Sequence, residues 1–538
     1  SGSSSGSPFH SMAFPAVPLL AALLLVAATR LWDYVFVRLV WRPYAITKGF
    51  REQGIHGPSY RFFKGCNEEI RSMKEKTDGL VLDVGDHKYL PRIAPHYLEW
   101  RAQYGEPFLY WYGAQARICI FDYELARQIL SSKSGHFVKN DAHPTLLALV
   151  GKGLGFMEGS DWVRHRRVIN PAFTIDKLKI VTETMLDFAD SMADELEAEA
   201  SQNENGETQV DIYKHFSDLT VDNIAYAIFG SSYKLGKQVF EAQTELLGIT
   251  MATFLDVPIP GSKYLPTQAN RRKWMLETKL KSLLTRIIQP RLASGEHGND
   301  LLGVMLDSCT ETKQGGKQQQ VDRLRLSLSM EEIIHECKLF FFAGHENTAL
   351  LLTWSVYLLS IYPEWQERLR KEVLREFGRD APNPNALNRL KEMTMVLFET
   401  LRLYSPALFM QRKTLADMTV GPIKLPKGTA IVIPIPIMHR DKQAWGDDAD
   451  EFSPMRFANG ITGAAKVPHG LLAFSMGPRS CIGQNLSMLE AKSTLALMLR
   501  KFSFALSPDY VHAPVDLFTL KPKFGLPVIL RPLDNVLI

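Results

Sequence analysis

Between Phe474 and Gly483 a Gly/Pro turn carries one cysteine onto the start of an apolar-periodic helix, with the spacing Phe474, Gly477, Arg479, Cys481, Gly483. A thiol at a helix N-terminus meets unpaired amides and partial positive charge, which favour the thiolate, the form that binds a metal ion. Gly477 permits a turn that a side chain would obstruct, and Gly483 lets the helix come close to a flat ligand. Arg479 can pair with a carboxylate and Phe474 can shield the sulfur. An arbitrary cysteine is more often an inert buried thiol. Five constraints met within ten residues point instead to a ligand sulfur.

A second group of residues sits in the apolar run 338–354, where Glu346 and Thr348 follow Gly344. An acid and an alcohol in the middle of a buried helix are costly, so they suggest proton chemistry; the plainer alternative is a local back-bond to the helix. His345 has no second ligand at metal-binding spacing and reads as a polar residue of the helix face. Glu399 and Arg402 lie three apart and can pair on one helix face. The same spacing recurs at Glu367 with Arg370 and at Glu372 with Arg375, where solvated pairs are the natural reading.

The cysteine spacing matches in full the haem-binding signature of the cytochrome P-450 superfamily, and the chain resembles that superfamily from residue 30 to its C-terminus. The resemblance implies a mainly α fold with a small β-rich lobe, haem b as cofactor and Cys481 as the iron ligand. Ala343, Gly344, Glu346 and Thr348 match the oxygen-activating helix, in which Thr348 would hold dioxygen or water and Glu346 would feed protons; Asn347 replaces a common Thr. Glu399 and Arg402 would form a structural triad with Arg456 of the segment Pro454, Met455, Arg456, Phe457, where Met455 replaces a frequent Glu. Trp162 and Arg166 fit a helix crossing the haem edge. With Arg412 and Arg479 they would bind the haem propionates, and Lys139 is a further candidate.

The implied reaction inserts one oxygen atom of O2 into a C–H bond of a hydrophobic small molecule. The pocket expected for it comprises loop 141–150, segment 246–255, Phe341, Phe342, Ala343, Leu408, Phe409, Phe518, Thr519 and Leu520, most of them apolar and suited to a lipid or terpenoid. No flavin or nicotinamide module is visible, and the sequence GKGLG (151–155) lacks the full dinucleotide fingerprint and reads as a loop. Electrons are therefore expected from NADPH through a separate membrane-bound reductase. Arg164, Arg167 and Lys466 are possible contacts, although solvated surface charge is the plainer description of each. Reductase-independent rearrangement of a lipid hydroperoxide, and non-catalytic haem binding at a membrane, are the competing functions. Segments 53–69, 257–267 and 438–454 resemble the plant clan containing secologanin synthase, cytokinin hydroxylases and brassinosteroid-inactivating enzymes. Within it the chain is most similar to the subgroup of cereal subterminal fatty-acid hydroxylases.

These residues need elements to position them. Aromatic and β-branched residues around Gly113 predict a hairpin over 108–122, and 428–437 predicts another strand. Helical periodicity covers 179–200 and 350–378, the latter broken by Pro363. The polar stretches 201–208 and 310–320 read as surface loops. Neither an internal repeat nor a long linker divides the 538 residues, so one large catalytic domain is expected. A formal net charge of +4 is not the polycation of a nucleic-acid binder, which excludes that partner class. Five scattered cysteines without a CxxC pair argue against a disulfide framework and a zinc site.

Residues 1–11 read as a flexible leader, with Met12 the expected native start, and 12–30 as a transmembrane anchor that is charge-free from Ala13 to Thr29. A linker (31–60) then leads to the haem-thiolate monooxygenase domain (61–538). A cleaved signal peptide is the alternative, but no small-x-small cleavage site is evident. Basic residues follow the apolar run and none precede it, which predicts a single pass of the endoplasmic reticulum membrane with a cytosolic body.

Overall fold

The computed structural model describes residues 16–230, 235–257, 259, 261–309, 327–378 and 382–533. Its centre is the helix Met330–Ile361, 32 residues long. Ser329 and Glu332 close a capping box at its start, and Pro363 stops it, because the residue before a proline is pushed out of the helical region. From Thr348 to Leu359 every residue is buried, as expected of a helix that is apolar all round. The helix Ile212–Phe229 crosses it at Gly344, where an added Cβ would lie 2.4 Å from Ile224 Cδ1. Gly344 is thus needed for the close approach of two helices.

Long helices surround this crossing, among them Ile175–Ser201, which covers the periodic stretch 179–200, and Gln484–Lys501, which follows the cysteine. The β lobe is built mainly on a five-stranded sheet ordered Phe108–Tyr112, Gln115–Cys119, Ala430–Pro434, Phe409–Thr414, Phe137–Val138. The expected hairpin turns at Gly113, with φ of 54°. The parallel pairing of Gln115–Cys119 with Ala430–Pro434, Arg117 opposite Ala430, ties chain segments about three hundred residues apart. Residues 151–155 form turns rather than a strand–helix unit, and 202–207 loop between a helix and a strand; 310–320 lies outside the described residues.

The Glu399–Arg402 pair is fully buried and bidentate, at 2.7 Å for both bonds. Arg402 also donates to the carbonyls of His439 (2.9 Å), Ala449 (2.5 Å) and Glu451 (2.9 Å). Arg456 approaches Glu399 at 3.7 Å but is held more closely by Asp448 at 2.8 Å. Together these bonds fasten the meander before the cysteine loop to the helix Lys391–Leu403. The look-alike pairs behave differently. Glu367–Arg370 sits at 2.6 Å with Glu367 half exposed, whereas Glu372 is buried and accepts the backbone amides of Glu392 and Met393. The solvated Glu372–Arg375 pair expected from spacing does not form; Arg375 turns to Glu376.

At the N-terminus an α-helix, Ala16–Trp32, continues through a π-helical stretch, Asp33–Trp41, into Arg42–Arg51. The span Leu20–Arg51 is long and apolar enough to cross a membrane and none of its apolar window is buried. The stretch expected as a linker is therefore helical as far as Arg51. It is fixed to the body by Arg42 donating to the Lys427 carbonyl (3.0 Å) and by Gln53 bonding Lys424 in both directions (2.7 and 3.2 Å). The expected leader, 1–11, lies outside the described residues.

Candidate functional site

Cys481 sits between a short 3-10 turn, Gly477–Arg479, and the helix Gln484–Lys501. Gly477 has φ of 71°, and a Cβ there would meet the Leu130 carbonyl oxygen at 2.6 Å, so both conformation and space demand glycine. The Cys481 amide donates to the Phe474 carbonyl at 2.9 Å, closing the loop around the thiol. The sulfur faces a cavity of about 220 Å³, which Phe474, Ile482 and Gly483 also line. Its surface is open to that cavity while protein encloses it from behind. Burial pushes the thiol up, against the pull of the Gly483 and Gln484 amides and of Arg166. The helix terminus alone therefore does not make the thiolate foreseen from sequence; a bound cation must displace the proton.

Gly483 is open on the cavity side, where an added Cβ would meet nothing closer than Phe173 Cε1 at 3.9 Å. Nearby, Lys139, Arg412 and Arg479 act on one another, with Glu158 the carboxylate that faces all three. Glu158 accepts the Lys139 amide (2.5 Å) and pairs with Arg479, whose guanidinium also lies 4.3 Å over the Trp162 ring. Burial and then Arg412 and Arg479 bring Lys139 down to about 7, and burial and Arg479 bring Arg412 down to about 10. Arg412 Nη2 is buried without a hydrogen-bond partner among the described residues. Arg166 bonds the Ser480 carbonyl at 3.3 Å, beside the cysteine. Three cations against one carboxylate, an orphaned guanidinium nitrogen and a thiol on the cavity wall suit a flat metal macrocycle bearing two carboxylates.

Thr348 lines the same cavity. Its Oγ1 is 3.0 Å from Ser487 Oγ, and it also hydrogen bonds Glu490. Glu490, buried and bonded by Asn223 Nδ2 at 2.8 Å, is pushed up to about 8 by burial, against those two hydrogen bonds. It is thus a neutral acid at neutral pH. Glu346 points elsewhere: Lys521 Nζ lies 2.5 Å away and Thr519 Oγ1 donates at 2.8 Å. Burial is the largest influence and opposes its charge, but Lys521, His345 and the Thr519 hydrogen bond together outweigh it and hold the carboxyl below its ordinary range. The acid beside Thr348 is Glu490, while Glu346, expected from sequence to feed protons, faces Lys521 and Thr519.

The cytochrome P450 family model matches residues 89–527. The chain belongs to the cytochrome P450 family. It is 46% identical to cytochrome P450 709B1 of Arabidopsis thaliana over 522 residues, covering 96% of this chain and 98% of that protein. Cytochrome P450 734A1 of Arabidopsis thaliana is 39% identical over 508 residues, covering 92% and 94% of the two chains. Secologanin synthase 2 of Catharanthus roseus is 39% identical over 518 residues, covering 96% of each. The chain is accordingly a haem monooxygenase, and its relatives are plant P450 enzymes.

In this P450 the expected pocket residues divide. Ala343 lines the cavity above Cys481, while Leu408, Phe409 and Phe518 line two adjoining pockets. Phe341 stacks on Phe229, Phe342 and Leu520 are core, and Thr519 serves Glu346, so these four are not on the cavity. Helix 144–150 is absent from the cavity wall too, whereas Met251, Phe254 and Leu255 line an adjoining pocket. Sequence reading missed Ile224, Ala227 and Ile228, because one apolar helix face cannot be told from another without knowing what it crosses. Glu490 left a fainter signal: an acid in the apolar run after Cys481, on the same helix face as Ser487. Of the proposed reductase contacts, Arg164 is already bound to Glu332, whereas Arg167 and Lys466 are exposed.

Proposed function

We propose that this P450 hydroxylates a hydrophobic small molecule, a fatty acid or a hormone or terpenoid precursor, with electrons from NADPH delivered by a separate reductase. The observation that carries this reading is the shared cavity: Cys481 and Thr348 both face it, with a neutral acid bonded to the alcohol. Cys481 would bind the iron, with Phe474 beside it and Gly483 admitting the ring; Lys139, Arg166, Arg412 and Arg479, with Trp162 at the edge, would hold the propionates. Haem held there supplies the activation of oxygen. Thr348 Oγ1 presents a proton to the cavity, and the Glu490 carboxyl, with Ser487 beside it, replaces that proton. Glu346, ionised against Lys521, would serve as an outer relay rather than as the direct donor.

Glu399, Arg402 and Arg456 act on stability. The apolar cavity wall supports a lipid or terpenoid substrate, and the family resemblance favours a fatty acid. The N-terminal helix would anchor the chain in the endoplasmic reticulum membrane, leaving the body in the cytosol. The test is a product screen by mass spectrometry on microsomes containing the chain and a P450 reductase, with and without NADPH. Oxygenated product only with NADPH is expected, together with a red-shifted carbon monoxide spectrum that Cys481→Ser abolishes. Conversion of a lipid hydroperoxide without NADPH supports rearrangement instead, and haem binding with no reductant consumed supports a non-catalytic role.

A further inference from the structure

Beside the main cavity lies a second pocket whose wall carries an unusual cation. Arg117, on the strand Gln115–Cys119, is 9% exposed and lines that pocket. Among the described residues it has no carboxylate partner: its guanidinium lies 3.8 Å over the Tyr112 ring, it bonds Tyr110, and its Nε has no hydrogen-bond partner. Asp516 is the acid of that pocket, but it is held by Lys74 at 2.5 Å. His96, also on the wall, is buried, with Nδ1 unpartnered. An ionised guanidinium taken out of water is costly unless an anion meets it. The pocket therefore keeps one positive charge in excess, with two buried nitrogens behind its wall that lack hydrogen-bond partners.

This pocket adjoins the cavity above Cys481 along one stretch of backbone. Pro406 and Ala407 line the main cavity, and the next two residues, Leu408 and Phe409, line the Arg117 pocket. A ligand with one anionic end and a long apolar body would meet both, with its head at Arg117, its body passing Phe409 and its far end in the part of the main cavity that the macrocycle leaves free.

We propose that Arg117 is the recognition site for the carboxylate of an amphiphilic substrate, which directs oxidation to carbons remote from that carboxylate. The proposal rests on the reading of the main cavity as the site of an apolar substrate. A planar guanidinium pairs with an anionic head in preference to a neutral one, and the single excess charge matches a monoanion such as a carboxylate.

The test is equilibrium binding to the haem-loaded full chain in detergent at neutral pH, by calorimetry, with dodecanoate, methyl dodecanoate and dodecan-1-ol as probes. The wild-type protein should prefer dodecanoate to both neutral probes by roughly tenfold to a hundredfold. Arg117→Met should abolish that preference and leave the alcohol's affinity unchanged, and Arg117→Lys should retain part of it. Equal wild-type binding of the acid and its methyl ester overturns the proposal without any variant, which covers the case of Arg117→Met failing to fold. Equal weakening of acid and alcohol in Arg117→Met also overturns it, since that marks a packing role. Dodecanoate preference without NADPH-dependent product defeats the hydroxylase reading and leaves this site standing; hydroxylation of the alcohol with no acid preference does the reverse.

Discussion

Glu490→Gln isolates the cost of keeping a proton on a buried acid. The wild-type carboxyl is pushed from 4.5 up to about 8 by burial, with Asn223 and Thr348 pulling the other way. Below pH 4.5 both the folded and unfolded chains carry the proton and the group contributes nothing. As pH rises past that point the unfolded chain loses its proton while the folded one keeps it, so stability falls. The fall continues until about pH 8, where the folded chain ionises too, and amounts to roughly 5 kcal/mol at most. Glutamine has nearly the same shape, can accept from Asn223 and donate to Thr348, and has no proton to lose. The variant should therefore match the wild type in mild acid and exceed it by several kcal/mol in mild alkali. Urea unfolding of both proteins in detergent, followed by tryptophan fluorescence across that range, measures the difference. Parallel pH profiles would refute the assignment of the retained proton to Glu490.

Thr348→Ala should leave the carbon monoxide spectrum intact while product formed per NADPH falls several-fold, and unchanged coupling removes the hydroxyl from the reaction. Arg402→Leu leaves the Glu399 carboxylate buried without its bidentate partner and should cost about 3–5 kcal/mol; an unchanged urea midpoint contradicts the triad's structural role. Gly344→Val forces branched carbon into Ile224, with Cβ at 2.4 Å before relaxation, and should cost about 1–3 kcal/mol by the same assay. Lys521→Met leaves burial opposed only by His345 and the Thr519 hydrogen bond and should raise the Glu346 carboxyl from below to above the ordinary range. Wild-type stability from this pair is lost on acidification. In the variant the slope should reverse, with stability lost as pH rises, and a slope that keeps its sign argues against the ion pair.

Local chemistry was the most legible part of the chain. The cysteine loop could be read because Gly477, Arg479, Cys481 and Gly483 carry its chemistry in one short stretch at fixed spacing, although the groups that meet them, Leu130 and Glu158 among them, lie more than three hundred residues away. The break at Pro363 and the turn at Gly113 follow from backbone geometry and fell where expected. Pairings between distant segments were not legible. Nothing in the spacing of Glu346 reveals that Lys521, far along the chain, faces it, and nothing around Glu490 reveals Thr348 on a crossing helix. Glu372 misled for the same reason, since two amides twenty residues away replaced the arginine three residues away. Helical periodicity identified the buried helices but could not say which face met the cavity, which is why Phe341 was chosen and Ile224 overlooked.

The unbroken helix from Ala16 to Arg51 has a consequence for how the enzyme would meet a bilayer. Because it is bolted to the Lys424 and Lys427 backbone, the rod and the body turn together. Adding one residue between its ends would swivel one against the other by about 100° and displace it by about 1.5 Å. The π-helical stretch Asp33–Trp41, wound more loosely than its neighbours, works as an angular offset of this kind. Helical phase at that stretch would then set which side of the catalytic body faces the lipid, and a single-residue insertion there should change delivery of membrane-dissolved compounds without altering the pocket that receives them.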